Sequence, residues 1–486
     1  MGGGWSGPLR QVDRFRWEIP REYKSGMRVP GLVYADERML RAIKADQALE
    51  QVANVACLPG IVGHSLGMPD IHWGYGFAVG GVAATRLEDG VVSPGGIGYD
   101  VNCGVRLVRT DLVEKDVRPR LEKLTEELFR AVPSGLGHGG RLQLGSKELD
   151  LVLERGAGWA VHNGYGSPRD LEFTEERGAL RGANPDAVSR KAKERGAPQL
   201  GTLGSGNHFL EVQIVDEVLE PAIAAAFGLS APGQAVVFIH TGSRGLGHQV
   251  CGDYLRVAEA SVRQHGISLP DRQLACMPFG SREAADYLGA MASAANFAFA
   301  NRQMITHWVR EAVAKVFGRS PDQLGLDVVY DVAHNIAKIE EYDVGGRRQR
   351  LCVHRKGATR AFPAGNPALP AAYREVGQPV LIPGDMGRYT YVAVGTEQAM
   401  REAFGSTCHG AGRLQSRGAA KRGLKGVDVQ TQLASQGIVV RAHSRGALAE
   451  EAPQAYKDVA DVVRVVEGAG LSRAVARLRP LGVVKG

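Results

Sequence analysis

The side chains best suited to hold a metal or a phosphate lie in five short, glycine-flanked segments spread from position 100 to position 409. They are YDVNCG around Asp100 and Cys103, GSGNHFLE around His208 and Glu211, FIHTGSRG around His240, DVAHN around His334, and HGAGR opening on His409. Each metal-type side chain follows an apolar run, so it is expected at the end of a buried strand or in a tight loop. A site gathered from such distant segments cannot be divided among independently folding units. This predicts one large domain of mixed α/β (α+β) class over residues 1–486, its strands linked by Gly-rich loops. Glycine fits that picture. It supplies 64 of the 486 residues, so many segments must turn tightly or bring backbone amides close to a ligand.

Periodicity fills in the scaffold. Residues 118–132 read as an amphipathic helix with Leu121, Leu124, Leu128 and Val132 on one face, and a long helix is expected from about Glu283 to Phe317. Strands are expected at 235–240, 326–332, 351–354, 379–382 and 390–395. The stretch from about 134 to 204, with clustered glycines and a basic run from Arg190 to Arg195, reads as a substrate-facing insertion or lobe. No repeat, heptad seam or low-complexity tract is visible. No apolar run approaches the roughly 20 residues of a membrane span, and the first 20 residues lack the apolar core of a signal peptide. A cytoplasmic protein is expected. Six cysteines without paired spacing argue for reduced thiols. A net charge of +7 suits a polyanionic partner.

The chemistry of the segments is more specific. Asp100 and Cys103 can converge on neighbouring positions, and a thiolate can bridge two cations where an imidazole nitrogen cannot. His208, His240 and His334 complete a ligand set. Thiolate and imidazoles favour zinc by softness, whereas carboxylate and open water positions favour manganese or magnesium. Two cations sharing a ligand fit phosphoryl chemistry, in which the attacking and leaving oxygens both need charge stabilisation. His409 heads a Gly-Ala-Gly turn that leaves room for a phosphate, and it is a candidate nucleophile. Arg355, Lys356, Arg360, Arg413 and Arg417 are candidate phosphate contacts. The apolar run before Lys485 predicts that the tail is tucked in. Asp70 and His72 in GMPDIHWGYGF are read as supporting the site. A purely RNA-binding protein is disfavoured, because 6% aromatic content leaves few rings for base stacking.

MPDIHWGYGF, GGIGYDVNCGVR, GTLGSGNHFLEV, HTGSRGLG, DVAHN, HRKGATRAF, PGDMG, STCHGAGR and the terminal VVKG occur in collinear order over most of the chain. In this the sequence resembles the RtcB family of RNA ligases, which join RNA 2′,3′-cyclic phosphate or 3′-phosphate ends to 5′-hydroxyl ends in tRNA splicing or RNA repair. The resemblance implies two Mn2+ ions sharing Cys103, one completed by Asp100 and His208 and the other by His240 and His334. It implies that His409 is guanylylated by GTP, and that the GMP then caps an RNA 3′-phosphate as RNA(3′)pp(5′)G. Guanylate contacts would come from Asn207, His208, Phe209, Leu210, Glu211, His334, Asn335, Pro383, Gly384, Asp385, Met386, Thr390, His409, Gly410, Ala411, Gly412 and Lys485. RNA contacts would come from Asp70, Arg195, Arg244, Arg413 and Arg417, with archease as a candidate activating partner. Asp385 stands where family members often carry a hydroxyl residue, and Thr390 where serine is common. The resemblance favours manganese over the zinc that ligand softness suggests.

Overall fold

The computed structural model describes residues 4–135, 139–415, 417–423 and 429–486, the side chains of Arg417, Lys421 and Arg445 left aside. The architecture is mixed α/β, as expected, and is built on two large sheets. The first runs in the order Val328–Ala333, Gly104–Val113, Gln234–Thr241, Phe209–Val218, Ser472–Lys485, Thr390–Gly395 and Pro379–Pro383, and Val439–Ala442 pairs in parallel with the end of Ser472–Lys485. All other neighbours in this sheet are antiparallel. Register then dictates where the loops meet. Gly104 lies opposite both Ala333 and Thr241, and Phe209 lies opposite both His240 and Lys485. Two strands therefore begin, and three end, at one edge of the sheet.

The second sheet has seven strands, ending in Val79–Arg86, Arg347–Lys356 and Asn335–Val344. Strand Val328–Ala333 of the first sheet runs through His334 directly into Asn335–Val344 of the second. His334 is thus the residue at which the chain crosses between sheets. A short pairing of Ala358–Arg360 with Ser406–Cys408 delivers the chain to His409.

The helix Arg282–Phe317 packs across the first sheet. Ser281 caps its start by accepting from the Ala284 amide, and Gly318, at φ 67°, ends it in the left-handed region that glycine tolerates. Its apolar residues, among them Phe297, Ala300 and Met304, share one core with Leu121, Leu124, Leu128 and Val132 of the predicted amphipathic helix, which is observed at Leu121–Ala131. Truncating a buried ring such as Phe297 would cost about 3–5 kcal/mol. The stretch from 134 to 204 forms short helices, including Ser146–Arg155 and Ala157–His162, and Leu149, Val152, Leu153 and Trp159 belong to that same core. All six cysteines are buried and unpaired. Among the described residues, no helix is long and apolar enough to cross a membrane.

Candidate metal centre and its histidine

The sheet edge collects the predicted ligands. Cys103 immediately precedes one strand, His208 precedes the next, and His240 is the penultimate residue of the strand between them. Cys103 Sγ lies 3.4 Å from His208 Nε2 and 3.3 Å from His240 Nε2. His240 Nε2 is 3.3 Å from His334 Nε2, and His208 Nε2 is 2.8 Å from Asp100 Oδ2. Two triads result, Cys103–His240–His334 and Asp100–Cys103–His208, each with its ligand atoms within 4.8 Å of one another. Cys103 belongs to both.

The loops that carry these residues are pinned from below. Asn102, at φ 51°, turns the chain into Cys103. Its carbonyl accepts from buried Arg302 at 2.8 Å, and the Thr241 carbonyl, next to His240, accepts from the same guanidinium nitrogen at 3.0 Å. Arg302 and Arg106 both donate to buried Asp331. Burial alone would raise the Asp331 carboxyl, but the two guanidiniums outweigh it and hold it below its ordinary value. Asn301, one residue earlier on the helix, fastens Gly201, Thr202 and Gly242.

The electrostatics suit a cation. Burial, with the neighbouring His208 and His409 rings respectively, drives His240 and His334 well below the ordinary histidine value, so both present neutral lone pairs. Burial would raise Asp100, but His208 and Arg244 hold it low and ionised. Burial and Asp100 push the Cys103 thiol far up; a coordinated cation would reverse that by deprotonating it. The Nε2 atoms of His240 and His334 converge with the Cys103 sulfur, and a divalent cation would take their lone pairs. The His208 ring is oriented from behind, with Nδ1 3.0 Å from the Leu203 carbonyl.

His409 sits against this cluster, its ring centroid 4.8 Å from that of His334. Asp70, fully buried on the strand Ile61–His72, fixes it twice. Its Oδ2 accepts from the His409 backbone N–H at 3.0 Å and lies 2.6 Å from His409 Nδ1. A carboxylate oxygen can only accept, so the ring proton is held on Nδ1 and Nε2 keeps its lone pair. The turn after His409 passes so close to the Asp70 carbonyl that a Cβ on Gly412, at φ 71°, would collide with it.

A cleft lies over the cluster. Asn207, Phe209, Asn335 and Lys485 line it, together with the loops Pro383 to Met386 and Gly410 to Gly412, which are tied by the Ala411 amide donating to the Pro383 carbonyl at 3.1 Å. Of the expected guanylate contacts, His208, Leu210, Glu211 and Thr390 fall outside this lining. Leu210 points into the core, so its side chain cannot meet a ligand. Gln213 bridges buried Glu211 and Thr390 at 2.6 and 2.9 Å. Burial raises Glu211 to about 7 and Asp385 to about 6.

The expected RNA contacts fare differently. Asp70 is fully buried, with its Oδ2 on His409. Arg413 lines the cleft and donates to Glu451 and Tyr456 at 2.9 Å each. Arg244 is partly covered and donates to Thr202, whereas Arg195 is exposed. The Arg417 side chain lies outside the described residues. Arg355 and Arg360, read from sequence as phosphate contacts, are buried on Glu340 and on Glu175 and Glu176. Only Lys356 of that run lines the cleft; burial lowers it to about 7, and it donates to the Phe77 carbonyl at 2.9 Å. Tyr99, Glu451 and Tyr456 also line the cleft and were missed. Tyr99 could have been found by its place beside Asp100; the other two carry no motif.

Comparison with known proteins gives a consistent result. A family model described as tRNA-splicing ligase RtcB matches residues 51–486. A tRNA-splicing ligase RtcB of Thermococcus kodakarensis is 59% identical over 479 residues, covering 99% of each chain. Proteins of the same name are 58% identical in Archaeoglobus fulgidus, with 99% of both chains covered, and 55% identical in Aeropyrum pernix, with 99% of this chain and 100% of that one covered.

Proposed function

The chain belongs to the RtcB family of tRNA-splicing ligases, and from that membership we propose that it joins RNA 3′-phosphate or 2′,3′-cyclic phosphate ends to 5′-hydroxyl ends, using GTP and manganese. The observation that carries this reading is the juxtaposition of two ligand triads sharing Cys103 with a histidine whose Nδ1 is anchored and whose Nε2 is free to attack.

Asp100 and His208 would hold one ion and His240 and His334 the other, with Cys103 between them. When bound, the pair supplies positive charge to phosphates that would otherwise repel each other. His409 Nε2 attacks the GTP α-phosphate, a P–N bond forms, and pyrophosphate leaves. The ring becomes cationic as that bond forms, and Asp70, 2.6 Å from Nδ1, stabilises the charge without taking the proton. A cyclic end is first opened by water, which breaks the P–O2′ bond and leaves a 3′-phosphate; the GMP then passes to an oxygen of that 3′-phosphate, breaking the P–N bond and making an anhydride. Attack by a 5′-hydroxyl on the 3′-phosphorus forms the phosphodiester and expels GMP. A 3′-phosphate has no good leaving group of its own, and the capping step provides one. Asn207, Phe209, Asn335, Lys485 and the two loops would cradle the guanylate, and Arg195 and Arg244 are left for RNA phosphates.

Incubation with α-labelled GTP and Mn2+ tests the reading. An acid-labile adduct absent from His409→Ala is expected, whereas a two-metal phosphoesterase would form none. Sealing of a 2′,3′-cyclic phosphate end to a 5′-hydroxyl end, with GTP and manganese supplied or withheld, checks the whole sequence.

A further inference from the structure

We infer that Tyr99, backed by His248 and Tyr75, is a stacking platform for the base of the nucleotide at or next to the RNA 3′-phosphate end. The inference rests on the ligase reading above and deepens it by naming what grips the strand beside the metal centre.

A single exposed ring is ordinary on a protein surface, so its position decides what it means. Trp73, Tyr99 and Tyr389 are exposed by 58%, 36% and 37%, and of these three only Tyr99 lines the cleft over the ligand cluster. It directly precedes Asp100, one of the proposed ligands, so its ring is anchored at the cluster's edge. Packing does not explain it, since neither Tyr99 nor Tyr75 belongs to any hydrophobic core among the described residues. It is nonetheless held in place. The His248 ring stacks on it at 4.7 Å and 28°, and Tyr75 meets it edge-on at 6.0 Å and 65°. A ring stiffened on one side and open on another loses little freedom when a base settles on it.

The surroundings fit a nucleotide rather than an apolar ligand. Next to His248, Gln249 holds the exposed Arg195 guanidinium at 2.9 Å. A base on Tyr99 with an adjacent phosphate near Arg195 is the pairing of ring and cation by which single strands are gripped without sequence preference. Geometry also restricts which base it can be. The 3′-phosphate to be capped must come to the cluster, so its own base, or the neighbouring one, falls within reach of the residue next to Asp100.

The test uses the manganese-loaded protein and short single-stranded RNA ending in a 3′-phosphate, with an abasic nucleotide placed in turn at each of the three positions nearest that end. Binding is read by fluorescence anisotropy. In the wild type, one position should lose affinity by about 5- to 150-fold when its base is removed. Tyr99→Ala should show the same loss with intact RNA and no further loss with the abasic strand, and Tyr99→Phe should restore binding. His248→Ala, which removes the backing ring, should give a smaller loss in the same direction. Abasic strands that bind the wild type as tightly as intact RNA would overturn the inference, and that arm needs no variant to fold. So would a Tyr99→Ala effect confined to the KM for GTP, which would place guanine on the ring instead. A wild type that binds no RNA would defeat the ligase reading itself, and the inference with it.

Discussion

Asp70→Asn isolates the contribution of one buried charge to the nucleophile. Asp70 Oδ2 takes the His409 backbone amide at 3.0 Å and faces its Nδ1 at 2.6 Å, the short separation of a charge-assisted bond. The substitution keeps the shape and removes the charge. If the amide oxygen still accepts from Nδ1, the loss is that of a hydrogen bond to a charged group, roughly 1.5–3 kcal/mol in the cationic species, or about 10- to 150-fold in the rate of guanylylation. If the amide instead turns its NH2 towards Nδ1, the ring proton moves to Nε2, the nucleophilic lone pair disappears, and the loss approaches roughly 10⁴-fold. Either way the defect belongs to the chemical step. Single-turnover transfer from α-labelled GTP measures it, with metal content and melting temperature as controls. The melting control matters because buried Lys457 sits on the same strand's carbonyls, donating to Pro69 and Ile71 at 3.0 and 2.6 Å. Burial lowers Lys457 to about 8 while Asp70 supports its charge. An Asp70→Asn protein that is folded, metal-loaded and guanylylated at the wild-type rate would refute the assignment of Asp70 to the nucleophile.

Because Cys103 is common to both triads, Cys103→Ala should abolish binding of both cations, whereas His208→Ala and His334→Ala should each spare one; elemental analysis after dialysis reads the stoichiometry, and one retained ion in Cys103→Ala would contradict a shared sulfur. Glu211 should make the protein less stable as pH rises. Its folded value of about 7 exceeds the ordinary carboxylate value of 4.5, so its contribution is fully present below about pH 4.5 and is lost as pH climbs through 7, by at most about 3 kcal/mol. Urea unfolding at pH 5 and pH 8 should show that decline flattened in Glu211→Gln, and an unchanged slope would show that the group is ionised in the fold. Arg302→Met strips donors from Asp331, Asn102 and Thr241, which should cost about 3–5 kcal/mol and weaken metal binding. Arg302→Lys should fail to rescue it for want of the planar fork, and a denaturation midpoint unmoved by either change would count against the clamp.

What could be read from sequence was whatever a single segment carries. The helices at 121–131 and 282–317 and the strand bearing His240 declare themselves through local periodicity, whereas the strands that Cys103 and His208 open carry no such signal, and the structure brings all three ligands to one edge. What could not be read was pairing between segments. Arg355 and Arg360 look like a basic phosphate grip in HRKGATRAF, but Glu340 and the Glu175–Glu176 pair bury them, and no spacing announces partners so far apart. MPDIH offers Asp70 as a supporting residue without saying what it supports, and only the approach of the 409–412 turn makes it the anchor of His409. In the stretch at 134–204 the glycines mark turns, whereas Leu149, Val152 and Leu153 have the helical spacing of a core-facing stripe. Aromatic content misleads for a related reason. A fraction of 6% bears on how many rings exist, whereas stacking depends on whether one ring is exposed, backed and adjacent to the chemistry. Tyr99 meets all three conditions through contacts with residues 75 and 248, so composition could not have excluded a base platform here.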